Sequence, residues 1–119
     1  MKDTTRLRVA AAVGAAALRK NVTAVYDYSS GGYKSISASV GNGSLNGYDY
    51  TTSSYFTGSS RTSLDFYDYH NSKYVQLNLK NNSFDGYDYG SGKHFSGTVN
   101  GNLISLYDYE TSKHYSYAV

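Results

Sequence analysis

The sequence predicts a mainly β protein: a ten-stranded antiparallel meander of five hairpins, strongly curved or closed into a barrel around a buried N-terminal α-helix. Three observations carry this prediction. The tripeptide YDY recurs at 26–28, 48–50, 67–69, 87–89 and 107–109, a period near twenty residues. Between the copies, apolar and polar residues alternate, the period-two signature of strands with one buried face. Residues 9–18 read VAAAVGAAAL, an apolar run without a polar side chain.

Composition agrees with that class. Fifteen Tyr and twelve Gly, with many Ser, Thr and Asn, suit strands joined by tight turns. The 119 residues are enough for one domain with a modest core. The absence of Cys excludes a disulfide framework and a thiolate metal site. Charge is unevenly placed. Residues 1–20 hold five basic side chains against Asp3, a balance of +4, whereas residues 21–119 hold six basic and eight acidic, a balance of −2. That asymmetry points either to a basic binding arm or to an arm that folds onto its own body.

The first element is a helix over roughly residues 4–20, with Thr4 or Thr5 available as cap, because alanine is the strongest helix former. A helix without a polar face is buried all round or sits in a membrane. Ten apolar residues are too few to span a bilayer, so no membrane span is expected and a soluble domain is. A secretory signal shares the basic start and short apolar run. Asp3 and the charged pair Arg19-Lys20 argue against it.

The hairpins follow. After each YDY comes a loop-like tetrapeptide: SSGG, TTSS, HNSK, GSGK or ETSK. A strand-like run and a second turn such as GNGS, KNNS or NGNL lead to the next copy. If each tetrapeptide is a four-residue hairpin loop, Tyr28 lies opposite Tyr33. The same rule pairs Val25 with Ile36, Gly47 with Gly58, Phe66 with Leu77, Gly86 with Gly97, and Leu106 with Tyr117. Large residues then meet large and glycine meets glycine, and the glycine pairs leave gaps where an Ala-rich helix with Gly14 can approach.

Alternation sorts the faces. The core face carries Val25, Ile36, Leu45, Phe56, Leu64, Phe66, Val75, Leu77, Leu79, Phe84, Phe95, Val99, Ile104 and Leu106. The other face carries the tyrosines together with Ser35, Thr57, Gln76, Ser96 and Thr98, and is expected to be wet. The central aspartates, Asp27, Asp49, Asp68, Asp88 and Asp108, fall on the core face beside the turn, with Lys34 opposite Asp27 in this register. A bare buried carboxylate is costly. Their expected partners are backbone N–H groups of an Asx-type turn. Because the first strand runs back along the helix, Arg6 and Arg8 and the positive helix end come near the aspartate row.

An open single-layer sheet or a β-hairpin solenoid is the alternative architecture. The twenty-residue period with regular aromatics resembles hairpin-repeat proteins such as choline-binding repeats and MORN repeats. The chain carries neither the GW…WYY signature of the former nor the YxGxWxxGxxxG pattern of the latter. No site residue is carried over from either.

Several chemistries are unfavoured. Equivalent aspartates in successive hairpins stand two strands apart, about 9–10 Å, whereas calcium needs several oxygens within about 2.6 Å of one point. Near-equivalent carboxylates also lack the split environments of an acid–base pair. His70, His94 and His114 have no close metal-ligand spacing and read as surface residues. Asn21, Asn42 and Asn81 open N-x-S/T triplets, which so Asn- and Ser-rich a chain produces by chance. No metal, cofactor or catalytic residue is called for.

The candidate binding residues are Tyr26, Tyr28, Tyr33, Tyr48, Tyr50, Tyr55, Tyr67, Tyr69, Tyr74, Tyr87, Tyr89, Tyr107 and Tyr109, an aromatic band beside the five YDY loops. Flat aromatics among hydroxyls suit a protein surface or a glycan. Nucleic acid is not expected, because few cations share the face. Cross-strand tyrosine pairs also stabilise a solvated sheet without any ligand. The expectation is a non-enzymatic structural or interaction module. A carbohydrate-binding module, and a surface or matrix protein that self-assembles through open sheet edges, are the alternatives.

Overall fold

A computed structural model describes residues 1–119. Its single helix, α1 (Asp3–Leu18), holds the apolar run, and every residue from Thr5 to Ala15 is buried. A helix apolar on all sides needs surroundings on all sides. Ten strands supply them: β1 (Val22–Asp27), β2 (Gly32–Gly41), β3 (Ser44–Asp49), β4 (Ser54–Ser59), β5 (Phe66–Asp68), β6 (Lys73–Lys80), β7 (Ser83–Asp88), β8 (Lys93–Asn100), β9 (Leu103–Asp108) and β10 (Lys113–Ala118). They form an antiparallel meander in which each strand pairs with its sequence neighbours, and β10 returns to β1 to close a barrel. The closing seam is short, with Tyr26 opposite Ala118 and Asp27 opposite Tyr117. α1 runs through the middle. It is too short and insufficiently apolar to cross a membrane.

The predicted core face is the observed one. Val25, Ile36, Leu45, Phe56, Leu64, Phe66, Val75, Leu77, Phe84, Phe95, Val99, Ile104 and Leu106 are all buried, in one cluster with the helix. Leu79 is only partly buried at its edge. The helix starts without the expected cap: Lys2 occupies the N-cap position with no side-chain cap bond. Thr5 is buried instead, its hydroxyl accepting a hydrogen bond from Asn71.

The strand register differs from the predicted one by two residues in every YDY hairpin. Tyr33 faces Tyr26 rather than Tyr28, and Val25 faces Lys34. Gly47 faces Phe56, Phe66 faces Val75, Gly86 faces Phe95, and Leu106 faces Tyr115. The turn chemistry explains the shift. The aspartate is the last strand residue, and its Oδ1 accepts the N–H two residues on: Ser29, Thr51, His70, Gly90 or Glu110. The outer tyrosine therefore lies inside the loop. The fourth loop residue takes a left-handed backbone, at Gly31, Ser53, Ser72, Gly92 and Ser112. Because side chains alternate with period two, this shift leaves every residue on its predicted face.

The glycine pairs disappear with that register. Gly47, Gly86 and Gly97 each lie under a phenylalanine ring, whereas Gly58 lies against the backbone of Asp65 and Phe66. A Cβ added at Gly47 would stand 2.2 Å from Cζ of Phe56, and one at Gly86 would stand 2.4 Å from Cζ of Phe95. Gly14 of α1 meets Val119 rather than the sheet glycines, at 2.9 Å from an added Cβ.

Candidate functional site

Two arrangements stand at the YDY end of the barrel, one inside and one outside. The inner one is the aspartate row. Asp49, Asp68, Asp88 and Asp108 are buried, while Asp27 at the seam is partly exposed. Arg8 reaches from α1 to two of them: Nε lies 3.0 Å from Asp49 Oδ2, and Nη1 lies 2.6 Å from Asp68 Oδ2. Its Nη2 also donates to Thr52 Oγ1 at 2.9 Å. Arg6 Nη1 holds Asp108 Oδ2 at 2.9 Å, and Asp3 pairs with the same guanidinium. The Met1 amino group completes the cluster between Asp108 and Glu110. The charge asymmetry of the sequence is therefore satisfied within the molecule at Asp49, Asp68 and Asp108. Lys34 is not the partner of Asp27; in the observed register Gly32 is.

Next to this cluster the Arg6 guanidinium carbon sits 3.8 Å from the Tyr115 ring centroid, a cation–π contact. Burial alone would lower the Arg6 pKa, but Tyr117, Asp108, Tyr115 and Asp3 outweigh it and hold the group above its ordinary value. Burial pushes the Tyr117 phenol far above the tyrosine range, against the opposing pull of Arg6. No group of three or more His, Asp or Glu side chains is disposed to hold a metal ion. Asp49, Asp68 and Asp108 are salt-bridged and hydrogen-bonded, whereas Asp27 and Asp88 each accept a main-chain N–H and have no paired cation.

The outer arrangement is the tyrosine band. Each inner tyrosine is the centre of an aromatic triad. Tyr26 has Tyr28 and Tyr33 edge-on at 4.9 Å; Tyr48 has Tyr50 and Tyr55 at 4.7 Å; Tyr67 has Tyr69 and Tyr74 at 4.8 Å. Tyr87 is flanked by Tyr89 and His94, and Tyr107 by Tyr109 and His114. All thirteen candidate tyrosines thus fall in five equivalent clusters, which form a collar round the YDY end. His94 and His114 are exposed, as the sequence implies, and belong to that collar. Their positions, equivalent to Tyr33, Tyr55 and Tyr74, were the available signal.

The triads are unequal in exposure. The central rings are half-buried, whereas the flanking rings from Tyr28 to Tyr109 are each more than half exposed, up to 77% at Tyr33. Main-chain bonds tie the triads together: Tyr69 N–H donates to Tyr55 O, Tyr89 N–H to Tyr74 O, and Tyr109 N–H to His94 O. Tyr89 and Tyr109 each overhang the preceding hairpin, and an open groove lies beneath each. One, of about 400 Å³, lies under Tyr89 and includes Asp65, Lys73, Tyr74 and Gln76. The other, of about 880 Å³, lies under Tyr109 and includes Asp85, Lys93, His94 and Ser96. Alternation placed Gln76 and Ser96 on the tyrosine face, but Asp65 and Asp85 were not singled out from the sequence, since nothing in a two-residue alternation says which side chains an overhanging ring will enclose. No protein-family model, curated protein or solved structure matches this chain.

Proposed function

We propose that this chain is a non-enzymatic binding module whose contact surface is the tyrosine collar, displayed on a rigid barrel. The observation that carries the reading is the exposure of the flanking rings. Cross-strand aromatic pairing accounts for the half-buried central ring of each triad. It does not account for the outward surfaces of Tyr28, Tyr33, Tyr50, Tyr55, Tyr69, Tyr74, Tyr89 and Tyr109, which stay more than half exposed on one end of the molecule even where Tyr33, Tyr55 and Tyr74 pair across strands with a central ring. Large exposed aromatic surface that folding leaves uncovered marks an interaction surface. The interior is filled by helix and sheet, so the collar is where the molecule offers itself. Self-assembly by edge pairing finds no edge, because closure leaves every strand with two neighbours.

A variant with Tyr28, Tyr50, Tyr69, Tyr89 and Tyr109 all changed to Ser tests the proposal. These five rings lie in loops outside the strand pairing, so the variant keeps its barrel, as circular dichroism would report. Wild type is expected to bind targets on a glycan array or a peptide-display panel, and the variant to lose them. Equal binding by both proteins, or no binding by wild type on either panel, refutes the proposal. Light scattering across a wide concentration range reads self-association in the same samples.

A further inference from the structure

We infer that the grooves beside the third and fourth hairpins are two copies of one subsite, and that their ligand is an uncharged oligosaccharide chain lying across both. The inference rests on the reading of the tyrosine collar as a binding surface and names what it binds. The two grooves are related residue by residue through the repeat. Asp65, Lys73, Tyr74, Gln76 and Tyr89 line the first; Asp85, Lys93, His94, Ser96 and Tyr109, each twenty positions later, line the second. Gln76 also borders the second groove, so the two are contiguous.

The other hairpins lack the full set. At the positions equivalent to Asp65 and Lys73 the first hairpin has Ala24 and Gly32, the second Asn46 and Ser54, and the fifth Ser105 and Lys113. The acidic and basic pair, with an overhanging ring, occurs in the third and fourth hairpins alone.

The chemistry of each groove selects the ligand. Tyr74 and Tyr89 expose 61% and 57% of their surface on one side, and Tyr109 exposes 54% beside His94 on the other. These flat faces suit the C–H face of a sugar ring. A carboxylate, an ammonium, and an amide or hydroxyl stand around them, and together they accept from and donate to hydroxyls in several directions. One acid and one base per groove leave no excess charge for an anionic or cationic polymer to neutralise. Asp65 is held in place, since its Oδ1 accepts the Leu77 N–H at 2.9 Å, which leaves the other oxygen for a ligand. Asp85 is similarly braced by Asn78 at 3.4 Å. The subsites repeat two strand spacings apart, about 9–10 Å, so a ligand that itself repeats engages both and gains from their linkage.

The test uses the full chain with uncharged oligosaccharides (glucan, mannan, galactan, xylan and chitin series) of one to six rings, sulfated and uronic-acid chains of the same lengths, and a peptide-display panel. Binding is read by calorimetry and by the tyrosine ring resonances. At least one series is expected to bind, with affinity rising steeply once the chain spans both grooves. Tyr74→Ala and Tyr109→Ala should each weaken it about five- to tenfold, the scale of one aromatic contact. Asp65→Asn with Asp85→Asn should weaken it while leaving the melting temperature near wild type. Lys80→Ala, at the end of β6 away from the YDY loops and outside the collar, should leave binding unchanged. Loss of binding with Lys80→Ala equal to that with Tyr74→Ala overturns the placement. Binding of sulfated or uronic-acid chains alone overturns the charge argument. Binding of displayed peptides and of no glycan overturns this inference but leaves the collar as a contact surface; the absence of any collar-dependent binding removes both.

Discussion

Arg8 Nη1 lies 2.6 Å from Asp68 Oδ2, and both side chains are fully shielded from solvent, at 0% and 1% exposure. The same guanidinium holds Asp49, also at 0%. One cation from the helix thus pairs with two carboxylates at the ends of β3 and β5 and ties the helix to the barrel wall. Desolvating these charges is expensive, so the cluster specifies arrangement more than it adds net stability.

Removal of Arg8 should therefore be severe. Arg8→Ala leaves two buried carboxylates without a cation, and the expected loss is about 3–5 kcal/mol in urea unfolding. Arg6→Ala, which leaves Asp108 with the Met1 amino group as its remaining cation, should follow the same direction. Lys93→Ala and Lys113→Ala, on the surface, should stay within about 0.5 kcal/mol of wild type. Similar losses at all four positions would refute the role given to the cluster.

Alkaline stability should report Tyr117. Burial raises the folded pKa of this phenol above its ordinary value of 10.0, so the unfolded chain loses the proton first. The stabilisation is then fully present below about pH 10 and declines as pH rises through and beyond it. Melting temperatures measured from pH 8 to 12 should fall more steeply for wild type than for Tyr117→Phe. Parallel curves would show that the buried phenol is not the responsible group.

The glycines under the phenylalanine rings should not tolerate a methyl group. At Gly86 an added Cβ would stand 1.9 Å from the Gln76 carbonyl oxygen, which is backbone and cannot step aside. At Gly47 the three nearest atoms all belong to the Phe56 ring, which can move. Both Ala variants should lose about 1–3 kcal/mol, with Gly86→Ala the worse. Pairing Gly47→Ala with Phe56→Leu should recover part of the loss, and no such rescue is expected of Gly86→Ala by Phe95→Leu.

The YDY loops invite stabilisation. Ser53, Ser72 and Ser112 hold φ of 52°, 54° and 55°, where Gly31 and Gly92 hold 72° and 70° in the equivalent places. The left-handed backbone costs a non-glycine residue about 1 kcal/mol. Ser53→Gly, Ser72→Gly and Ser112→Gly should each raise stability by up to about that amount, and Gly92→Ser should lower it. Thermal melts of the four variants would check the signs, and a Gly variant that melts below wild type would contradict the loop geometry.

The legible part of the molecule was the part written in local pattern. Alternation in runs such as VQLNLK shows which residues face inward, and the featureless apolar run of residues 9–18 shows that a helix must lie inside. The first strand's return along the helix puts Arg6 and Arg8 at the aspartate end. The tyrosines follow from the same alternation, and all thirteen stand on the outer face.

Register escaped, and with it the glycine partners, because a two-residue slip preserves every face and so leaves no trace in the alternation. The choice was made by the aspartate, whose side chain binds the N–H two residues ahead and draws Tyr28 and its counterparts into the loop. What the sequence by itself determined is the inside and outside of each strand, the number of hairpins and the burial of the helix, since each follows from hydrophobic periodicity along the chain. Only the tertiary structure decided that Arg8 serves both Asp49 and Asp68, that Tyr117 meets Asp27 across the closing seam, and that Tyr89 overhangs Tyr74 to make a groove. Those relationships join residues from different elements, and it is the curvature and closure of the sheet that bring them together.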